Sequence, residues 1–394
     1  MKVILKPKRE KPVIQNHPWI FSGAIKTIEG DPQDGDIVDV LASDGTFLAR
    51  GYINRKSQIN VRVLTRNIDE EVDENLFRRR IKDAIEYRRN MLHLDDYSAY
   101  RLIHDAADLL PGLIVEKYSD YLVVQILTLG MERRKDMIAG ILEELLAPAG
   151  IYERSDSRIR EKEGLELRRG LLRGQEPPDE VEIRQNSVKL LVNFKEGQKT
   201  GTFLDQRENV EIAACYARGR EVLDCFCYAG SFSIWTAVRG AKKVVGVDIS
   251  KNSLRTAQRN AEINDVQDVC QFIQGDVFQV LGGCKRSFDL IVLDPPAFAK
   301  SKRSVERAAR GYKHINMVAM KLLNPGGILV TFSCSHHIDP DLFRKVIFAA
   351  SVDAERNMRI VRILHASPDH PMNVAYPEGE YLKGLICQNM GPVH

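Results

Sequence analysis

No run in this 394-residue chain approaches the roughly 18 uninterrupted apolar residues of a membrane span, so no membrane association is expected. The opening stretch MKVILKPKREKP is charged but has neither an apolar core nor a small-residue cleavage site, so no signal peptide is expected and the cytoplasm is the default location. Cysteines stand at 215, 225, 227, 270, 284, 334 and 387, an odd count with no C-x-x-C pair and no histidine at matching spacing. That argues against a disulfide framework and against a metal site. Charge of one sign is also lacking: 57 basic and 54 acidic residues leave a net +3, too little to argue a nucleic-acid partner from the total. Local charge is more informative, because Lys300, Lys302, Arg303, Arg307, Arg310 and Lys313 crowd one segment in which Glu306 is the only acid. Read alone, that segment is the solvated start of a helix.

With 44% apolar and 28% charged residues the chain can bury real cores, and its length predicts two or three domains. Residues 1–72 carry short alternating apolar runs (VDVL, FLARGYI, INVRVL) broken by Gly, Asp and Pro, the pattern of a small all-β module. Residues 73–178 read as a compact α+β segment: a helix capped by Asp73, a hairpin of LIVEKY and YLVVQIL around Ser119-Asp120, a helix at about 131–147 and a strand near Ile151. The polar stretch from Arg173 to Pro178 is the best linker candidate. From 179 to 394 strands and helices alternate, which predicts a mainly parallel sheet with helices on both faces. Its strand cores are EVLD (221–224), KVVGVD (243–248), VCQFI (269–273), FDLIVLD (288–294) and GGILVTFS (326–333), with helices near 231–239, 251–264, 304–323 and 340–354. Open sheets of this kind bind ligands at the carboxyl ends of their strands.

Chemistry-bearing residues recur at those ends. The turn Asp224-Cys225-Phe226-Cys227-Tyr228-Ala229-Gly230 has a single glycine, whereas seating a pyrophosphate takes G-x-G-x-x-G, so a dinucleotide fold is disfavoured. Gly230 would let the backbone approach a ligand closely, and Asp224 suits a cation such as the ammonium of a methionine moiety. Cys225 and Cys227 read as core filler. Asp248 can accept from two ribose hydroxyls, with Ser250 as the helix cap, and Asp276 is placed to meet an adenine amino group. The fourth strand ends in Asp294-Pro295-Pro296-Ala297-Phe298, a stiff loop like that of amino-group methyltransferases. The fifth ends in Ser333-Cys334-Ser335-His336-His337, which places a thiol beside the same crevice.

In these residues, and in His17-Pro18-Trp19-Ile20-Phe21-Ser22-Gly23, Leu110-Pro111-Gly112-Leu113, Lys199-Thr200-Gly201-Thr202-Phe203-Leu204-Asp205-Gln206-Arg207, Arg310-Gly311-Tyr312-Lys313 and Tyr376-Pro377-Glu378-Gly379, the chain resembles the bacterial large-subunit ribosomal RNA cytosine-C5 methyltransferases of the RlmI type. The resemblance covers essentially the whole length. It implies an N-terminal PUA-like RNA-binding domain (1–72), the family's middle α+β domain (73–178) and a C-terminal class I, Rossmann-like methyltransferase domain (179–394). It also implies S-adenosylmethionine as cofactor and large-subunit ribosomal RNA as partner, with a homodimer allowed. Phe203 and Gln206 would pack beside the cofactor, together with Asp224, Phe226, Gly230, Asp248, Asp276 and Asp294. The basic cluster beside the substrate loop would then meet RNA phosphates. Cytosine is a poor carbon nucleophile, so Cys334 would add to C6 while Asp294 holds the base edge. A second cysteine found in many relatives' substrate loop is absent here, where Ala297-Phe298 stand. The base that removes the C5 proton is therefore unassigned among Asp294, a water, His336 and His337. An amino-group methyltransferase that uses the Asp-Pro-Pro loop and a non-catalytic RNA-binding protein are the rival readings.

Overall fold

The computed structural model describes residues 1–94, 97–195, 197, 200–299 and 301–392, with only the backbone of Lys302. The chain divides into two compact units, one of Met1–Ile183, Val192–Thr202 and Pro368–Gly379, the other of Arg184–Leu191, Phe203–Ser367 and Glu380–His394.

The first unit holds two sheets. Strands β1 (Lys2–Leu5), β2 (Trp19–Phe21), β3 (Ile25–Glu29), β4 (Ile37–Leu41), β5 (Phe47–Ile53) and β6 (Ile59–Thr65) pair in the order β2-β6-β5-β4-β1-β3, with the short helix α1 (Lys11–Ile14) between the first two. Period-2 alternation sends Val38 and Val40 of β4 and Val61 and Val63 of β6 into one core with Val3 and Leu5. Strands β7 (Ala99–His104), β8 (Leu113–Tyr118), β9 (Tyr121–Ile126), β10 (Gly150–Ser155) and β11 (Arg168–Gly174) form the second sheet, in the order β11-β10-β9-β8-β7. Helix α2 (Glu74–Glu86) packs Leu76, Phe77, Ile81 and Ile85 into its core and is capped by Asp73, which accepts from the Leu76 N–H at 3.0 Å.

Two expectations need correction here. The helix expected at 131–147 is two helices, α3 (Leu129–Glu132) and α4 (Lys135–Leu146), broken at Arg134 with φ −110°. The Arg134 guanidinium donates to the Gly130 carbonyl at 2.8 Å, so it satisfies a helix-end acceptor instead of continuing the spiral. Arg173 and Gly174 are not linker residues but the end of β11, paired with Ile151 and Gly150. An edge strand has one side in water and tolerates the arginines that make its sequence look loop-like.

After α5 (Ile159–Lys162) and the two-stranded ribbon of β12 (Val181–Gln185) and β13 (Val188–Val192), the second unit is built on one sheet of seven strands. These are β14 (Glu221–Cys225), β15 (Lys243–Asp248), β16 (Cys270–Gln274), β17 (Phe288–Leu293), β18 (Leu323–Ser333), β19 (Arg356–Leu364) and β20 (Lys383–Pro392), in the order β16-β15-β14-β17-β18-β20-β19. The first five in that order run parallel, and β20 and β19 close the sheet antiparallel. Helices α6 (Arg207–Ala214), α7 (Ser231–Val238), α8 (Lys251–Glu262), α9 (Val277–Gly283), α10 (Val305–Lys321) and α11 (Pro340–Ala354) accompany it. Reversal of strand order about β14 opens a crevice at the carboxyl ends of β14 and β17.

The first unit is closed by residues from near the end of the chain. Arg88 is fully buried and forks onto Asp108 at 2.6 and 2.8 Å, and it also donates to the Asp369 carbonyl at 2.9 Å. The Asp369 carboxylate in turn accepts the Arg101 N–H at 2.8 Å. Asp108→Ala leaves the Arg88 charge buried without its counter-ion and should lower unfolding free energy by about 3–5 kcal/mol in a urea titration, whereas Arg88→Met with Asp108→Leu should recover most of that loss. An equal loss in the double variant would show that the pair does not act as a charge pair.

Candidate cofactor crevice and thiol site

All the acids singled out in the sequence lie at strand ends on one edge of the second unit's sheet. The turn after β14 holds three residues in left-handed backbone: Phe226 (φ 61°), Tyr228 (φ 50°) and Gly230 (φ 82°). Two are not glycine, a costly arrangement of the kind found where a backbone clamps a ligand. Tyr228 N–H is held by Asp248 Oδ2 at 3.0 Å, and Ser250 N–H by Asp248 Oδ1 at 2.8 Å, which ties the two strand ends together. Ser250, not Asp248, caps α8, accepting from Ser253 N–H at 3.2 Å. Gly230 has a packing reason besides the close ligand approach expected of it. A Cβ there would sit 3.0 Å from Ala257 and 3.4 Å from Phe272, so glycine is required by helix packing and by φ.

Asp224 is buried, with Oδ2 accepting the Ser233 hydroxyl at 2.6 Å and Oδ1 bonded to nothing among the described residues. Burial, reinforced by the nearby charges of Asp294 and Asp248, pushes its carboxyl up to about 7 against the relief given by Ser233. A site that gathers carboxylates in this way is short of a cation. Asp276 caps α9 through the Gln279 N–H at 3.1 Å, so one of its oxygens does structural work. Phe203 meets the Tyr228 ring edge-on at 5.5 Å. Gln206 is buried, its Oε1 accepting from Asn209 at 2.7 Å while its Nε2 has no partner among the described residues. Cys225 and Cys227 are buried, and burial pushes both thiols well above the ordinary range.

On the other side of β14 the substrate loop and the thiol are pinned together by one hydroxyl. Ser335 Oγ accepts the Ala299 N–H at 3.2 Å and shares a hydrogen bond with Tyr312 OH at 3.0 Å, while the Tyr312 ring packs on Phe298 at 4.5 Å. Between these anchors the Cys334 thiol reaches the Pro295 carbonyl at 3.7 Å. Asp294 is half-buried, its N–H 3.4 Å from the Cys225 carbonyl. His336 and His337 are exposed beyond the strand, the former facing the Tyr381 ring at 5.6 Å. Lys383, in β20, is buried within the same group. In the sequence Tyr312 and Ser335 stand out only as parts of longer strings, and nothing marks Lys383.

Of the basic cluster, Lys300 and the Lys302 side chain lie outside the described residues. Arg310 pairs with Glu306 at 2.9 Å and Lys313 with Asp353 at 2.7 Å, leaving Arg303 and Arg307 exposed and without an ion pair among the described residues.

A family profile described as S-adenosylmethionine-dependent methyltransferase matches residues 161–380, and one described as PUA-like domain matches residues 3–66. The ribosomal RNA large subunit methyltransferase I of Aeromonas hydrophila is 46% identical over 391 residues, which is 98% of either chain. The chain belongs to the S-adenosylmethionine-dependent methyltransferase family. The protein of the same name from Pseudoalteromonas atlantica is also 46% identical, over 98% of this chain and 99% of its own. The fold is shared with a Streptococcus mutans structure assigned to an S-adenosylmethionine-dependent methyltransferase (TM-score 0.84, 21% identity, 98% of this chain and 100% of that one). It is shared equally with a methyltransferase crystal structure complexed with SAH (TM-score 0.85, 22% identity, the same coverage).

The crevice of this methyltransferase fits such a cofactor. S-adenosylmethionine carries an ammonium and a sulfonium, and the Asp224 carboxyl, one oxygen of which has no partner among the described residues, would with its acidic neighbours supply the opposite charge. The Asp224 value in the folded protein lies above the 3.8 of an ordinary aspartate, so the folded state holds this proton more tightly and the cofactor-free methyltransferase loses stability as pH rises from about 4 through about 7. Asp224→Asn abolishes that loss. It should melt above the wild type at pH 8, by a margin that shrinks toward pH 5, while binding S-adenosylmethionine more weakly. Thermal melting across that pH range, with and without cofactor, reads both effects, and a margin independent of pH would place the charge burden elsewhere.

Proposed function

We propose that this methyltransferase forms 5-methylcytosine in large-subunit ribosomal RNA, in the cytoplasm, with Cys334 as covalent nucleophile. One observation carries the reading: the Cys334 thiol is clamped beside the Asp294-Pro295-Pro296 loop at the end of the strand adjoining that loop's own, on the edge of the sheet that gathers the cofactor acids. The relatives' printed name, at 46% identity over nearly the full length, supports ribosomal RNA as the substrate. The N-terminal β module, 1–72 by its sequence pattern, is assigned the task of positioning the RNA.

S-adenosylmethionine supplies an electrophilic methyl group. Cytosine C5 is too weak a nucleophile to take it unaided. Addition of the Cys334 thiolate to C6 breaks the C5–C6 double bond and moves its electrons toward C5 and N3, where Asp294 holds the exocyclic amine edge. After transfer, C5 would give its proton to Asp294, a water, His336 or His337 as the C6–S bond breaks, returning its electrons to sulfur and restoring the ring. Phe203, Phe226 and Gln206 line the cofactor side in this reading, with Asp248 on the ribose hydroxyls and the second oxygen of Asp276 toward the adenine amine. The base must leave any stack to reach the thiol, so the target nucleotide is unpaired or flipped.

Cys334→Ala should abolish methyl transfer while leaving cofactor affinity nearly unchanged in a calorimetric titration. RNA carrying 5-fluorocytosine cannot lose its C5 substituent as a proton, so the wild type should accumulate a methylated adduct that survives denaturing electrophoresis. A Cys334→Ala protein that still methylates at a comparable rate would reverse the assignment in favour of amino-group transfer. A separate test concerns RNA binding: neutralising Arg303 and Arg307 should flatten its salt dependence by up to about 0.7–0.9 units of log–log slope for each phosphate that is no longer neutralised. An unchanged slope would return these residues to a solvated helix start.

A further inference from the structure

We infer that Lys383 holds Cys334 as the thiolate that the proposed reaction requires, and so acts as its positioning and activating residue. The inference rests on the covalent reading above and assigns the residue that makes it work at neutral pH.

Lysines are rarely buried without a counter-ion, because removing an ammonium from water costs several kcal/mol. Lys383 is only 4% exposed. In β20 it stands directly opposite Ser333, the residue before Cys334, across the β18–β20 pair. Its Nζ donates to the Ser335 carbonyl at 2.8 Å and to the Tyr381 carbonyl at 2.7 Å. The ammonium is thereby fastened to the residue on one side of the thiol while its backbone is paired with the residue on the other. No carboxylate completes an ion pair with it among the described residues. Two carbonyl acceptors orient the ammonium but do not neutralise it, which leaves a fixed positive charge on the backbone of the residue that follows the thiol.

The surrounding charges agree with that role. Burial lowers Lys383 to about 8, and the anion that opposes this most is Cys334, ahead of Glu380 and Asp339. The histidines bear on it from the same turn: His336, open to solvent on one side, is pulled below its ordinary value by the partial desolvation of its ring, then by Lys383 and His337. Tyr312, on α10, is raised by burial and also by the charge of Cys334. A positive charge next to a thiol lowers its pKa, and only the thiolate adds to carbon. The proton released from Sγ goes to solvent, Lys383 keeps its own, and the thiolate expelled from C6 at the end of the cycle returns to the same ammonium, so the pair is regenerated at each turnover.

The pH dependence of iodoacetamide alkylation of Cys334, followed on the full chain by peptide mass spectrometry, measures the thiol directly. In the wild type its midpoint should lie below that of an ordinary cysteine. In Lys383→Met, which keeps the stem and removes the charge, the midpoint should rise by at least about one unit with S-adenosylmethionine binding retained, and Lys383→Arg should bring it back down. An unchanged midpoint in a cofactor-binding Lys383→Met protein would overturn the inference. Should that variant not fold, the reciprocal measurement decides: Cys334→Ser removes the anion and should lower the Lys383 titration midpoint seen in the 13Cε resonance of lysine-labelled protein, and an unmoved midpoint would overturn it equally. Methyl transfer surviving in Cys334→Ala would instead remove the covalent reading and leave both titrations as they are, so the two failures are distinguishable.

Discussion

A single hydroxyl sets the geometry of the reacting side of this protein. Ser335 lies just past the end of β18, wholly buried, and its Oγ joins the loop after β17 through Ala299 to helix α10 through Tyr312. Backbone that leaves a parallel sheet at its carboxyl edge has no ladder to define it, so each such loop must be held by side chains. Here one residue serves two loops and a helix, and Cys334 inherits its place from that bond. Its neighbours on either side, both serines with no exposure, make a strand end that is polar yet dry. Such a group is well determined when every partner is satisfied and poorly determined when one is missing.

The crevice separates two electrostatic tasks across the width of a few strands. On one side Asp224, Asp248 and Asp294 gather negative charge, where the proposed reading seats a cationic cofactor. On the other, a lone buried ammonium sits behind the thiol. Each would be unfavourable alone: a carboxyl driven up to about 7 and an amine driven down to about 8 both record charge held away from water. Binding of a cationic cofactor on the first side and ionisation of a thiol on the second relieve them in opposite senses. Such an arrangement suits the proposed reaction, in which a cationic cofactor and a thiolate come together.

How much of this could be read from the residues depends on where they lie. The five parallel strands were legible because an interior strand covered on both faces reads as an unbroken apolar run, as in KVVGVD and FDLIVLD. The closing antiparallel pair was not, since β19 sits at an edge and intersperses Arg356, Arg359 and Arg362 among its apolar residues, while β20 carries Gly, Asn and Pro. The acids at the strand ends were visible because position, not residue type, made them unusual. Asp276 combines a visible position with a helix cap that sequence alone could not separate from a ligand contact. The packing role of Gly230 was not legible, because what a missing Cβ makes room for is known only once Ala257 and Phe272 are in place. Lys383 left no signal: one lysine in YLKGLI looks like a solvated residue until the strand pairing places it opposite Ser333.

The return of residues 368–379 to the first unit has a consequence for synthesis. Arg88 and Arg101 lie within the first quarter or so of the chain, but their acceptor Asp369 is made nearly last. Within residues 1–183, the Arg88 guanidinium and the Arg101 backbone N–H therefore depend on a partner that is made much later than the two sheets around them. Residues 203–367, most of the second unit, are translated in between, and only 380–394 of that unit follow. The N-terminal unit thus carries a contact of very high sequence separation, the kind whose loop-closure entropy slows folding most.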